Sequence, residues 1–408
     1  MAQSNPLVPW TDEQWARVNQ VIQEEAHRAR VAATFLPLYG PLPASADFVR
    51  TETVSYGPLR IADKNTSQLK TLQLNVRVRG EQLADPEMTS VLALFRRAAN
   101  VIARLEDALV FNGYAGYDPD AGGATPPLPY GAPNVSEQIW GGGTADGLLI
   151  RANDQNVRPE LTPLQSYSVS GGNGLVKGIV DAIGYLEDHG HFGPFAVVLS
   201  QELFLTAQTP VNIIGRSGTP SAVPEERILP FLGGGPLLRS STLRPGFGVV
   251  VALGGSPIEL VVATDVSLEF LQVTATQPPA MEGPYFIFRV YEKVSLRIKE
   301  RDANGRSTAL VALVPGPIVN RVAPNRGAVG GGTEVTITGN HFTNARAGRA
   351  RVPTPTVNFG QHAGANVNVV SDREIKVHAP AGQGQVHVTV TTSYGASENS
   401  DADQFTYE

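Results

Sequence analysis

His189 and His191 stand one residue apart in EDHGHFGPFAVVLS, residues 187–200. Imidazole is the commonest metal ligand and the side chain that titrates near neutrality. Two such rings hold a metal only when one or two further ligands converge on them. No Glu-x-x-His, His-x-x-x-His or paired-aspartate pattern lies nearby. Gly-His-Phe-Gly-Pro reads instead as a helix stop followed by strand entry. A structural turn is therefore expected.

The other chemical candidates are similarly sparse. Glu106 and Asp107 are adjacent acids on a helical stretch. Successive helical residues point about 100° apart, so the two do not converge as an acid–base pair. A salt bridge or a solvated rim is expected. His378 and His387 fall in alternating strands and read as surface histidines. GAVGGGT, residues 327–333, lacks the Lys-Ser/Thr of a phosphate loop and reads as a hairpin turn. No Gly-x-Ser-x-Gly elbow occurs, and cysteine is absent. Thiolate catalysis, disulfides and cysteine-held zinc or iron–sulfur centres are excluded. Neither enzymatic activity, nor a cofactor, nor a metal is expected.

The elements that carry these residues fall into two textures. PWTDEQWARVNQVIQEEAHRARV predicts a helix capped by Thr11, with Gln14 completing a capping box and Trp10 and Trp15 placed as a staple. Trp15, Val18, Ile22, Ala26 and Ala29 share its apolar face. Residues 34–70 are polar and irregular. LQLNVRVR then alternates, with Leu72, Leu74, Val76 and Val78 on one face, as a half-buried strand does. Asp85 and Pro86 are the expected start of a long helix whose stripe runs from Val91 to Leu109. Residues 117–147 are a Gly- and Pro-rich loop. GLVKGIVDAIGYLEDHG predicts a second helix, and PFAVVLS a central strand. GVVVALGGSPIELVVATD reads as two strands around a turn. FIFRVYEKVSLRIKE alternates, and Glu292 breaks its apolar row. Beyond Pro315-Gly316-Pro317 only short strands and Gly-rich turns remain, spaced as in a sandwich.

Bulk numbers set the frame. The 408 residues suffice for two or three domains. Net charge is −6 without a dense basic cluster, so nucleic acid is not an expected partner. The opening MAQSNPLVPW shows no signal peptide, and no apolar run is long enough to span a membrane. Charged residues are only 17 %, which suggests surface covered by other subunits.

Several stretches agree on one relationship: NPLVPWTDEQWARVNQVIQEEAHRAR, LPLYGPLPASADFV, LEDALVFNGYAG and GHFGPFAVVLSQELF. They are joined by GVVVALGGSPIELVVATDVSLEFLQ and FRVYEKVSLRIKERDA. Together, over roughly residues 5–305, they resemble the encapsulins, bacterial nanocompartment shell proteins with the tailed-phage major capsid fold. Two departures stand out: the loop at 117–147 is long for that family, and Ala108 stands where an acid is usual. The tail from Pro317, with Gly-Gly-Thr, Phe-Gly and Pro-Ala-Gly landmarks, resembles a TIG/IPT immunoglobulin-like domain.

The resemblance implies an α+β, Hong Kong 97-type capsid fold over residues 1–314, a linker at 315–317, and an immunoglobulin-like β-sandwich over 318–408. It implies a homo-oligomeric icosahedral shell in the cytoplasm that encloses cargo enzymes. Residues 40–75 would form a hairpin arm on a neighbour, and about 191–270 an apical domain. Cargo would dock by a short peptide at the inner surface, near the arm helix. By position Trp15, Val18 and Ile22 are the candidates, unless they pack on the subunit's own spine helix. Gly215, Arg216, Ser217, Gly218 and Thr219 are small and polar enough for a pore rim. The TIG-like domain would decorate the exterior and meet a protein or glycan ligand. The alternatives are a phage capsid protein that packages DNA and a soluble TIG-domain adhesin or glycan-binding protein.

Overall fold

The computed structural model describes residues 5–56, 59–114, 128–133, 139–141, 144–152, 163–164, 171–210, 223–274, 284–301, 307–343, 354–392, 395–397 and 399–408. Two compact units emerge. The first comprises Met1–Arg151, Ser241–Leu243 and Gly255–Ser307; the second comprises Ala152–Ser240, Arg244–Gly254 and Thr308–Glu408.

In the first unit the arm helix runs Asp12–Ala29. The Gln14 N–H donates to Thr11 Oγ1 at 3.2 Å, and the Thr11 N–H donates to Gln14 Oε1 at 3.0 Å. This reciprocal pair satisfies two otherwise orphaned donors, and a cap of this kind is worth about 1 kcal/mol. The Trp10 and Trp15 rings meet edge-on with centroids 4.9 Å apart, the expected staple. The spine helix, Thr89–Asn112, has 24 residues and is about 36 Å long. It starts later than predicted. Asp85 Oδ1 accepts the Glu87 N–H at 3.0 Å in a turn, and Met88 takes a left-handed φ of 54° before the helix begins.

Both helices pack on a five-stranded sheet. Its order is Leu38–Tyr39, Ile258–Thr274, Tyr285–Ile298, Lys70–Arg79, Ile139–Trp140. Phe288 pairs with Val76 on one side and Phe270 on the other. Alternation puts Leu72, Val76 and Val78 inside and Asn75, Arg77 and Arg79 outside. The stretch predicted to be irregular contains a long antiparallel hairpin, Phe48–Tyr56 paired with Leu59–Gln68.

In the second unit the helix Gly171–Asp188 lays Leu175, Ile179, Ile183 and Leu186 into a core with Phe195, Val197, Leu199, Val250, Val311 and Leu313. Phe195–Ser200 is fully buried and sits between Leu237–Ser240 and Gly248–Ala252, a central strand as predicted. The two strands around the GGSP turn do not form a hairpin. Gly248–Ala252 pairs with Phe195–Ser200 and Leu310–Pro315, whereas Ile258–Thr274 belongs to the sheet of the first unit. An apical domain running continuously from 191 to 270 is corrected accordingly.

After Pro315, two sheets form a sandwich. Val335, Ile337, Ile375 and Val377 from one face Val357, Phe359, Val388, Val390 and Phe405 from the other. The Gly-rich turn after Gly327 links strands of different sheets, so it is an inter-sheet connection and not a hairpin.

Candidate assembly site

The Phe48–Gln68 hairpin is the element least able to stand alone. A two-stranded hairpin is marginal in water, and this one leaves Phe48 59 % and Ile61 70 % exposed. It is tied down at points from its open end to near its turn. The Val54 N–H donates to Lys299 O at 2.9 Å, and Ser295 Oγ donates to Gln68 O at 3.1 Å. Arg297, itself buried, reaches Glu259 at 3.1 Å and Glu52 at 3.8 Å and lies over the Tyr39 ring at 4.5 Å. Lys299 Nζ closes on the other oxygen of Glu259 at 2.7 Å.

A second, largely buried ion cluster holds the arm helix. Arg30 follows the helix directly. Its Nε lies 2.7 Å from Glu106 on the spine helix; its Nη2 lies 2.7 Å from Glu292 and 2.9 Å from Asp265 on the two long strands. Charges this deep are costly unless paired, and removing one partner exposes the full penalty. Burial raises both Glu106 and Glu292, Glu292 well above the ordinary carboxyl range. Asp107 points elsewhere. It accepts the N–H groups of Val31 and Ala32 at 3.0 and 2.8 Å, the opening of the short helix Ala32–Phe35. Burial, and then the charge of Glu106, pushes it up to about 8. The predicted solvated rim is thus an interior. The two acids diverge as expected, but both are buried.

Lys70 is another buried charge. Its Nζ donates to Gly141 O at 3.1 Å and Gln68 Oε1 at 3.3 Å, and burial pushes it down to about 8.

The histidine turn is structural. His191 is buried with Nε2 3.1 Å from Thr308 Oγ1, while the His189 ring hydrogen-bonds Tyr185 O at 2.8 Å. The Gly190 φ of 84° ends the helix between them. His387 is not a plain surface histidine, because it pairs with the buried carboxylate of Asp403.

Trp15, Val18 and Ile22 are 3, 0 and 1 % exposed. Trp15 packs on Trp10 and Phe288 inside the subunit. Their side chains are core, so a peptide cannot rest on them without displacing the chain's own packing. Gly215, Arg216, Ser217, Gly218 and Thr219 lie outside the described residues. So does most of the loop at 117–147; its described part near Tyr130 is held by Asn112 Nδ2, which donates to Tyr130 O at 3.0 Å and Thr242 O at 2.9 Å.

Arg30, Glu292 and Lys70 are the residues that motif reading passes over. Glu292 and Lys70 left a signal, since each occupies the apolar parity of its strand. Nothing in the sequence names their partners.

An arm helix and a spine helix on a five-stranded sheet, with a long hairpin and an appended β-sandwich, are the layout of a capsid-type shell subunit. A family model described as encapsulating protein for peroxidase matches residues 2–123 and 159–278. That is more than half of the chain, and the chain belongs to this family. An IPT/TIG domain model matches residues 317–407. The type 1 encapsulin shell protein EncA of Myxococcus xanthus is 28 % identical over 314 residues, 72 % of this chain and 92 % of that relative. Among solved structures, the virus-like particle of Pyrococcus furiosus overlaps with a TM-score of 0.48 at 13 % identity, covering 73 % of this chain and 98 % of that one. The holo-SrpI encapsulin complex of Synechococcus elongatus overlaps at 0.39 and 12 % identity, over 77 % and 92 %. The fold is α+β, of the Hong Kong 97 capsid type, followed by an immunoglobulin-like sandwich. The chain is a shell-forming structural protein and not an enzyme. No helix among the described residues is long and apolar enough to cross a membrane.

Proposed function

We propose that many copies of this chain close into an icosahedral shell that encloses cargo enzymes in the cytoplasm. The observation that carries the reading is the Phe48–Gln68 hairpin, which leaves Phe48 and Ile61 exposed in the single chain. A second copy covering it would bury that apolar surface and satisfy the free edges of its strands. Contacts of this head-to-tail kind close into rings and shells when the rotation permits.

Three finer assignments belong to the same reading. Residues 318–408 form an exterior domain that meets a protein or glycan ligand, with 315–317 as the linker from the shell domain of 1–314. Gly215–Thr219 rim a pore. A short cargo peptide docks beside the arm helix, with Trp15, Val18 and Ile22 forming the support beneath the contact surface.

Sizing and electron microscopy of the purified full-length protein test the whole. Hollow particles with low nucleic-acid absorbance and a co-purifying enzyme are expected. A lone, folded monomer would sink the shell; particles filled with DNA would make it a phage-type capsid.

A further inference from the structure

The buried cluster around Arg30 is unbalanced. Three carboxyl groups face one guanidinium: Glu106 from the spine helix, Asp265 from strand Ile258–Thr274 and Glu292 from strand Tyr285–Ile298. Asp107 adds a fourth acid next to Glu106, spent on the Val31 and Ala32 N–H groups. Among the described residues Arg30 is the cation that forms salt bridges with Glu106 and Glu292. Glu106 and Glu292 have no exposed surface, whereas Asp265 is half exposed and keeps part of its hydration.

The geometry demands a proton. Glu106 Oε2 and Glu292 Oε1 lie 2.7 Å from Nε and Nη2 of the same guanidinium, and both carboxyl groups are buried. Two ionised carboxylates held on one cation have only acceptors to offer each other, and a proton on one of them turns it into a donor. Like charges confined together at low dielectric drive the same outcome, and the pair then titrates as a unit. With one proton shared, Arg30 balances a single buried negative charge.

We propose that the Glu106–Glu292 pair holds one shared proton that latches the arm helix onto the spine helix and the sheet, and that alkaline solution releases it. Arg30 is the only residue of the arm in the cluster, so the latch acts at the C-terminal end of Asp12–Ala29. Both acids titrate higher in the folded chain than in the unfolded one. The folded state therefore binds the proton more tightly. The latch contributes fully below the ordinary glutamate range and weakens as pH climbs through the folded-state titration. The inference concerns the subunit's own fold and stands apart from cargo and shell closure.

Trp10 and Trp15 sit at the arm and report its docking, so fluorescence reads the latch directly. In full-length protein carrying Trp140→Phe, the remaining two indoles should move to a red-shifted, solvent-exposed emission as pH rises from 5 to about 9.5. Glu292→Gln imitates the protonated acid permanently. It should raise the midpoint by a pH unit or more, or abolish the shift. An unchanged midpoint in Glu292→Gln overturns the proposal, as does a wild-type spectrum that stays constant over the range. Should Glu292→Gln fail to fold, Glu106→Gln is read in the same way. Should both fail, hydrogen exchange of arm-helix amides in the wild type, corrected for intrinsic rates, decides: protection must fall with rising pH, and constant or rising protection sinks the latch.

Discussion

Arg30 Nε lies 2.7 Å from Glu106 Oε2, and both side chains are buried. The pair joins the end of one helix to the middle of another across 76 residues of sequence, counted from 30 to 106. It turns the arm from a tethered peptide into part of the core.

Arg30→Met leaves Glu106 and Glu292 buried without their cation. Breaking a buried pair from one side costs about 3–5 kcal/mol. The urea midpoint should fall accordingly. Adding Glu106→Leu and Glu292→Leu to the same chain should restore most of the loss, because apolar groups of similar volume need no counter-charge.

Lys70 titrates lower in the folded chain than in the unfolded one, about 8 against 10.5. Its protonated form therefore costs stability below about pH 8, and that cost is relieved as pH rises from there to 10.5. Lys70→Met should raise the urea midpoint at pH 7, with an advantage that shrinks above pH 8. A lower midpoint for Lys70→Met at pH 7 would mean that its hydrogen bonds to Gly141 and Gln68 outweigh burial.

Trp15→Ala removes a ring packed edge-on against Trp10 and Phe288. Truncating a buried aromatic costs about 3–5 kcal/mol. Thermal unfolding should show a large drop before any cargo assay is needed. Unchanged stability together with lost cargo would return Trp15 to the docking surface.

Ile61→Asp changes a residue that is 70 % exposed in the single chain. Surface changes of this kind usually shift stability by less than about 0.5 kcal/mol. The variant should keep its wild-type urea midpoint and fail to form particles on a sizing column. Normal particles would remove the hairpin tip from the assembly contact.

Residues 318–408 own a separate core built around Val335, Phe359, Val377 and Phe405. A chain ending at residue 317 should still assemble, with a thinner outer profile in electron micrographs. Failure to assemble would make the sandwich part of the shell itself.

Local order was legible wherever one face of an element meets apolar neighbours. The Thr11–Gln14 box, the stripe from Trp15 to Ala26 and the alternation of Leu72, Val76 and Val78 are short-range patterns, and each appears where expected. Resemblance carried the family, and with it the fold, further than periodicity could. The reading failed where a choice between partners had to be made. Phe48–Gln68 looked irregular because its few apolar residues, Phe48, Val49, Val54 and Ile61 among them, do not alternate, and the hairpin there was implied by the resemblance and not by periodicity. Asp85-Pro86 looked like a cap because the residue types suit one, yet the chain turns there and begins its helix at Thr89.

Periodicity and capping thus settled the arm helix, the alternating strand Lys70–Arg79 and the central strand Phe195–Ser200, because those preferences act over a few residues. Tertiary structure alone decided that Glu292 meets Arg30 across 262 positions, that Trp15 is core, and that strands on either side of one tight turn enter different sheets. A buried charge must find its counterpart wherever the fold brings one, and the distance along the chain carries no trace of that meeting.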